Sequence, residues 1–79
     1  MINYTDIDYE WLIKEIINKK PNNNIEIIRY IRDILKLDAT IKNLIMAEKI
    51  VEVIYDLNEE LRNIPKIVSP SVKFIELGW

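Results

Sequence analysis

Few side chains in this sequence can serve as nucleophile or base. The only serines, Ser69 and Ser71, flank Pro70, and the chain has no histidine to take a proton from either. A hydroxyl without a neighbouring base is a weak nucleophile. Cysteine is absent as well, which removes thiol chemistry and disulfides. With imidazole also missing, the ordinary zinc ligand sets are gone. The single glycine is Gly78, so there is no glycine-rich loop to cradle a phosphate. What is left is carboxylate chemistry, and a carboxylate pair works as acid and base only where a pocket drives the two pKa values apart. These residues predict a protein that is not an enzyme and that uses no cofactor, metal or small-molecule substrate.

Three other groupings suggest contact with a partner. Glu48, Glu52, Asp56 and Glu60 recur at every fourth position, with Glu59 beside them. On a helix this lines like charges along one face, which costs a few tenths of a kcal/mol per pair. Such a ridge suits a basic partner surface; the plainer explanation is the solvated back of an amphipathic helix, softened by Lys49. As a metal site it would take only Mg²⁺ or Ca²⁺, and weakly. Ile7 and Trp11 form the second grouping, one turn apart and roughly 160–200° from the centre of the core stripe of their helix. Tyr4 extends this patch if the helix starts early. Tyrosine and tryptophan are enriched at binding hot spots, whereas coverage by the C-terminal tail, with Phe74 or Trp79 on Trp11, accounts for the same pattern without a partner. In the third grouping, Ile41 and Ile45 point toward the polar side of their helix. Packing near the preceding turn is the expected reason, and contact with another chain is the alternative.

Three helices are needed to carry these groups. The first is predicted from about Thr5 to Lys19, with Thr5 as N-cap, Asp6 and Asp8 in the first turn, and Pro21 with Asn22–Asn24 ending it. Its core stripe is Tyr9, Leu12, Ile13, Ile16 and Ile17. The second is predicted over 25–37, capped by Asn24, with Ile27, Ile28, Ile31, Ile34 and Leu35 facing inward and Arg29, Arg32 and Lys36 outward. The third is predicted over 38–63, capped by Asp38 and stopped by Pro65, with a stripe of Leu44, Ala47, Ile50, Val51, Ile54, Leu57 and Leu61. It spans about 37 Å against about 20 Å for the others. Residues 64–79 form an apolar tail, either extended or a short fourth helix around Ser69-Pro70-Ser71, expected to fold back over the long helix. The fold class is therefore all-α: a small antiparallel three-helix bundle, two short helices on one long one, in a single domain spanning residues 1–79.

A chain of 79 residues buries only about 60% of the surface its unfolded form exposes. With 49% hydrophobic residues and a long stripe to cover, a homodimer or a hetero-complex is expected. The formal charge of −2 lacks the positive excess of a nucleic-acid binder. The acidic N-terminus has no leader-like apolar stretch and no run is long enough to span a membrane, so a cytoplasmic location is expected, in the protein's own cell or in a host's. Abundant Ile, Asn and Lys with no Gln point to A/T-rich codons and a low-GC genome. The expected function is a non-enzymatic protein-interaction module, such as a phage or mobile-element inhibitor of a larger host protein. Tyr4, Ile7, Trp11, Glu48, Glu52, Asp56 and Glu59 are its candidate contacts. Bacteriocin immunity proteins and phage inhibitors are similar to this chain in size and charge alone. One alternative is a DNA-binding regulator of helix-turn-helix type around residues 31–45, although Lys36 stands where that turn favours Gly. The other is a structural subunit of a larger assembly.

Overall fold

Each helix begins where a short polar side chain can hold the first free amides. In the computed structural model, which describes residues 6–67 and Trp79, α1 spans Tyr9–Asn18, α2 Asn24–Leu35, α3 Ile41–Leu57 and α4 Glu59–Arg62. The caps are Asp8, Asn23, Thr40 and Asn58, which accept from the amides of Trp11, Glu26, Asn43 and Leu61 at 3.2, 3.0, 3.1 and 3.0 Å. There is no strand among the described residues, and the protein is a small all-α helical bundle.

The helix boundaries differ from those predicted, for local reasons. α1 starts at Tyr9 and not near Thr5, because Asp8 provides the capping oxygen; Thr5 lies outside the described residues. Asn24 does not cap α2. It is the first residue of the helix, and its side chain is turned onto the backbone of Ile67, which leaves the cap to Asn23. Asp38 forms the turn before α3 through its carbonyl, which accepts from the Thr40 amide at 2.8 Å and the Asn43 side chain at 2.9 Å, so Thr40 caps instead. α2 closes with Lys36 in the left-handed region (φ 56°, ψ 48°). The Leu37 amide donates to the Arg32 carbonyl and the Lys36 amide to Asp33, the paired bonds of a Schellman ending.

The largest departure is at Asn58. The predicted long helix over 38–63 is two helices, because Asn58 is extended (φ −141°, ψ 113°) and caps both of them. Its amide donates to the Ile54 carbonyl while its side chain accepts from Leu61. Glu59 and Glu60 follow in the first turn of α4, where negative charge is favourable. α3 is thus 17 residues long, about 25 Å and not the predicted 37 Å, which narrows but does not remove its excess over the 10 residues of α1 and the 12 of α2. The break also redirects two leucines that a continuous helix places together. Leu61 is fully buried, whereas Leu57 is 60% exposed.

The core is built from Leu12 and Ile16 of α1, Ile25, Ile27, Ile28 and Ile31 of α2, Leu44, Ala47, Ile50, Val51 and Ile54 of α3, Leu61 of α4, and Trp79. α2 packs on both α1 and α3, and α4 packs on α3. After α4 the chain turns to the start of α2. Pro65 accepts from the Asn24 amide at 3.1 Å, and the Asn24 side chain, itself buried, both accepts from the Ile67 amide (2.7 Å) and donates to its carbonyl (3.3 Å). Pairing the oxygen and the nitrogen of the buried Asn24 amide with the backbone of Ile67 spares both an unsatisfied burial. Of the predicted tail, residues 68–78, Ser69-Pro70-Ser71 and Phe74 among them, lie outside the described residues; of its described part, Lys66 lies over the ring of Tyr55 on α3. Trp79 is buried where α2 ends and α3 begins. Its indole N–H donates to the Thr40 carbonyl at 2.9 Å, and the Arg32 guanidinium lies 5.4 Å from its ring centroid.

Candidate functional site

Trp11 sits on α1 with 45% of its surface exposed, although Leu12 and Ile16 of the same helix are sealed. An indole left in water next to a filled core contributes little to folding, and it is the residue type most enriched at interface centres. Ile7 does not share this face as predicted. Because α1 begins at Tyr9, Ile7 precedes the helix and packs against the core. Tyr4 lies outside the described residues, so of that grouping Trp11 stands alone.

Two open grooves run beside α1. One, of about 370 Å³, is lined by Glu10, Ile13, Lys14, Ile17, Leu57 and Asn58. The second, of about 300 Å³, shares Ile17 and is lined also by Lys20, Pro21, Asn22, Glu60, Leu61 and Ile64. At the rim Lys14 and Glu10 pair at 3.7 Å with both side chains largely in water, a contact worth about 0.3–0.5 kcal/mol. Reading residues 38–63 as one helix hides the Leu57 edge of this groove. The signal that exposes it is Asn58-Glu59-Glu60, a capping residue followed by two acids.

The acidic ridge divides at the same point. Glu59 and Glu60 are first-turn residues of α4 and are accounted for by its positive end. Glu48, Glu52 and Asp56 are on α3, with Glu48 half-buried and the other two exposed. Among the described residues no three acidic side chains come together as a group that could hold a metal ion. Ile41 and Ile45 are 63% and 51% exposed, so the predicted packing near the turn does not occur. α2 ends at Leu35 and the chain then bends away through Lys36, too early to cover them.

The buried Tyr55 hydroxyl on α3 makes no hydrogen bond among the described residues. Lys66 lies over its ring, with Nζ 4.9 Å from the centroid. Burial raises the phenol above its ordinary value of 10.0, because the charged phenolate loses its water. A raised folded-state pKa contributes stability that is intact below pH 10 and is lost as pH climbs past 10 toward the folded value. Tyr55→Phe should therefore leave stability at pH 7 unchanged, or raise it by up to about 1 kcal/mol. It should also lose less stability than wild type between pH 7 and 10.5. Urea titrations at the two pH values check this; an equal loss in both proteins removes Tyr55 from the alkaline transition.

Among the described residues no helix is long and apolar enough to cross a membrane. Comparison of the chain with protein-family models, curated proteins and solved structures gives no match.

Proposed function

We propose that the protein is a non-enzymatic interaction module, an inhibitor of the phage or mobile-element kind that docks on a larger host protein. The observation that carries this reading is the exposed indole of Trp11 on a helix whose inward face is already satisfied. The missing histidine and cysteine, and serines that lack a base, support the non-enzymatic part. The exposed Leu57 and the apolar floor of the groove beside it supply further surface. The indole and the groove that α1 shares with the Leu57 end of α3 do not form one continuous stripe, which suits a partner of defined shape better than coverage by a second copy.

The test is capture from the lysate of a low-GC bacterial host with wild type and Trp11→Ala. Because Trp11 is half in water, the variant should fold, which circular dichroism checks. A partner retained by wild type and reduced at least about tenfold in the variant, the loss expected when a hot-spot side chain worth ~1.4 kcal/mol is removed, supports the reading. Equal recovery of every bound protein overturns it.

A second reading is favoured by one observation: Lys36 adopts the left-handed turn between α2 and α3 that a helix-turn-helix needs, despite not being Gly. Exposed Lys42 and Lys49 on α3 would face phosphate there, but Glu52 and Asp56 on the same helix would repel it. DNA retardation across a salt series separates the two readings, since phosphate contacts weaken steeply as salt rises.

A further inference from the structure

The helices differ in how their charges are arranged. α2 carries Glu26 in its first turn and Arg32 in its last, and α4 carries Glu59 and Glu60 first and Arg62 last. Both agree with the macrodipole, which favours acids at the N-terminus and bases at the C-terminus. α3 has no acid in its first turn and no base in its last. It has Lys42 in the first turn and Asp56 in the last, so it is charged against its own dipole at both ends. A local choice that opposes the fold, with no ion pair to offset it among the described residues, marks a surface shaped by something other than folding.

The outer face of that helix is also ordered along its length. At about 100° per residue, Ile41, Ile45, Glu52 and Asp56 fall within roughly 60° of one another. The two isoleucines form an i,i+4 pair at the N-terminal end. The two acids form an i,i+4 pair beginning seven residues, or about 10 Å, further on. The isoleucines are more than half exposed, and neither Glu52 nor Asp56 is in an ion pair among the described residues. Ile41, Ile45 and Glu52 stand at positions of one heptad seam, the geometry by which a second helix lies alongside. Lys49, on the flank of this face, narrows the acidic half to the side of Glu52.

We infer that the outer face of α3 docks an amphipathic helix of basic character, which sets an apolar i,i+4 pair on Ile41 and Ile45 and a Lys or Arg pair on Glu52 and Asp56. The occupant follows from charge complementarity. A basic pair opposite the last turns of α3 supplies the positive charge that the dipole and the two carboxylates both lack, and an apolar pair removes the isoleucines from water. The inference rests on the reading of the chain as a docking module and names the chemistry of one partner segment.

The probes are two synthetic helical peptides of about 20 residues, each with a Leu pair and a Lys pair at the matching spacing, in opposite chain directions. Binding is followed by fluorescence anisotropy and by NMR shifts of the folded protein. One direction should bind and shift the amides along residues 41–56. Ile41→Ser with Ile45→Ser should weaken it at least tenfold. Glu52→Gln with Asp56→Asn should weaken it several-fold and flatten its salt dependence, while Trp11→Ala should leave it unchanged. All these positions are exposed, so the variants should fold. Failure of both peptides to bind overturns the assignment, as do full affinity in the isoleucine variant and displacement by a DNA duplex on the same face. If Trp11-dependent capture of a partner persists in those cases, only the α3 assignment is lost; if that capture is absent, the docking reading falls on its own test.

Discussion

Replacing Trp79 with Ala should remove about 3–5 kcal/mol of stability, the usual cost of deleting a buried large aromatic side chain. A chain of this length holds roughly 4–12 kcal/mol in all, so the variant should be close to unfolded at 37 °C. At roughly 4–8 °C per kcal/mol for a domain of this size, the midpoint should fall by about 12–40 °C. Trp79 has this leverage because of its position. It is 5% exposed, it fills the corner where α2 gives way to α3, and its N–H satisfies the carbonyl of Thr40, the residue whose side chain caps α3. Trp79→Phe should cost clearly less, since it keeps most of the ring and leaves the Thr40 carbonyl to water. Thermal melts at 222 nm measure all three proteins. A midpoint drop under 5 °C for the alanine variant would show that the indole is not part of the core. The chain has only two tryptophans, so fluorescence gives an independent check. Trp11→Ala should leave a blue-shifted emission that acrylamide quenches poorly, and Trp79→Ala a red-shifted emission that it quenches readily.

Leu61→Ala should cost about 2–5 kcal/mol, whereas Leu57→Ala should stay within about 0.5 kcal/mol. The two leucines are one turn apart in sequence and belong to one apolar stripe on any reading that continues the helix through Asn58. The contrast between them therefore measures the break itself. If Asn58 were an ordinary helical residue, the two substitutions would hurt comparably. Denaturant unfolding with a common m-value gives the comparison; equal losses would restore the long helix. Asn58→Ala probes the cause, since it removes the side-chain acceptor from the Leu61 amide and should cost about 1 kcal/mol.

The inward faces of the first three helices could be read from the order of residues because spacing carries that information. Leu12 and Ile16, Ile27 through Ile31, and Leu44 through Ile54 recur at 3.6-residue intervals and are buried as that period requires. The missing reactive side chains were equally plain, since composition alone decides which chemistries lack material. Helix ends were less legible. Several capping residues lie within a few positions of each end, and Thr5, Asn24 and Asp38 each compete with a neighbour. Asn24 shows why local rules cannot settle that competition: its side chain is taken by Ile67, 43 residues away, so the adjacent Asn23 becomes the cap.

The order of residues by itself determined an all-α chain of amphipathic segments and the core-facing side of each. Only the tertiary structure decided which of the remaining apolar side chains stay in water. Trp11 and Trp79 are the same residue type; spacing sets Trp11 off the core stripe of its helix, but it does not say whether another part of the chain covers either indole. Trp79 is covered because the corner between α2 and α3 offers it a carbonyl, a guanidinium and core neighbours; Trp11 is on a helix whose inward face is already full. Burial depends on what arrives from elsewhere in the chain, and a one-dimensional period cannot report that.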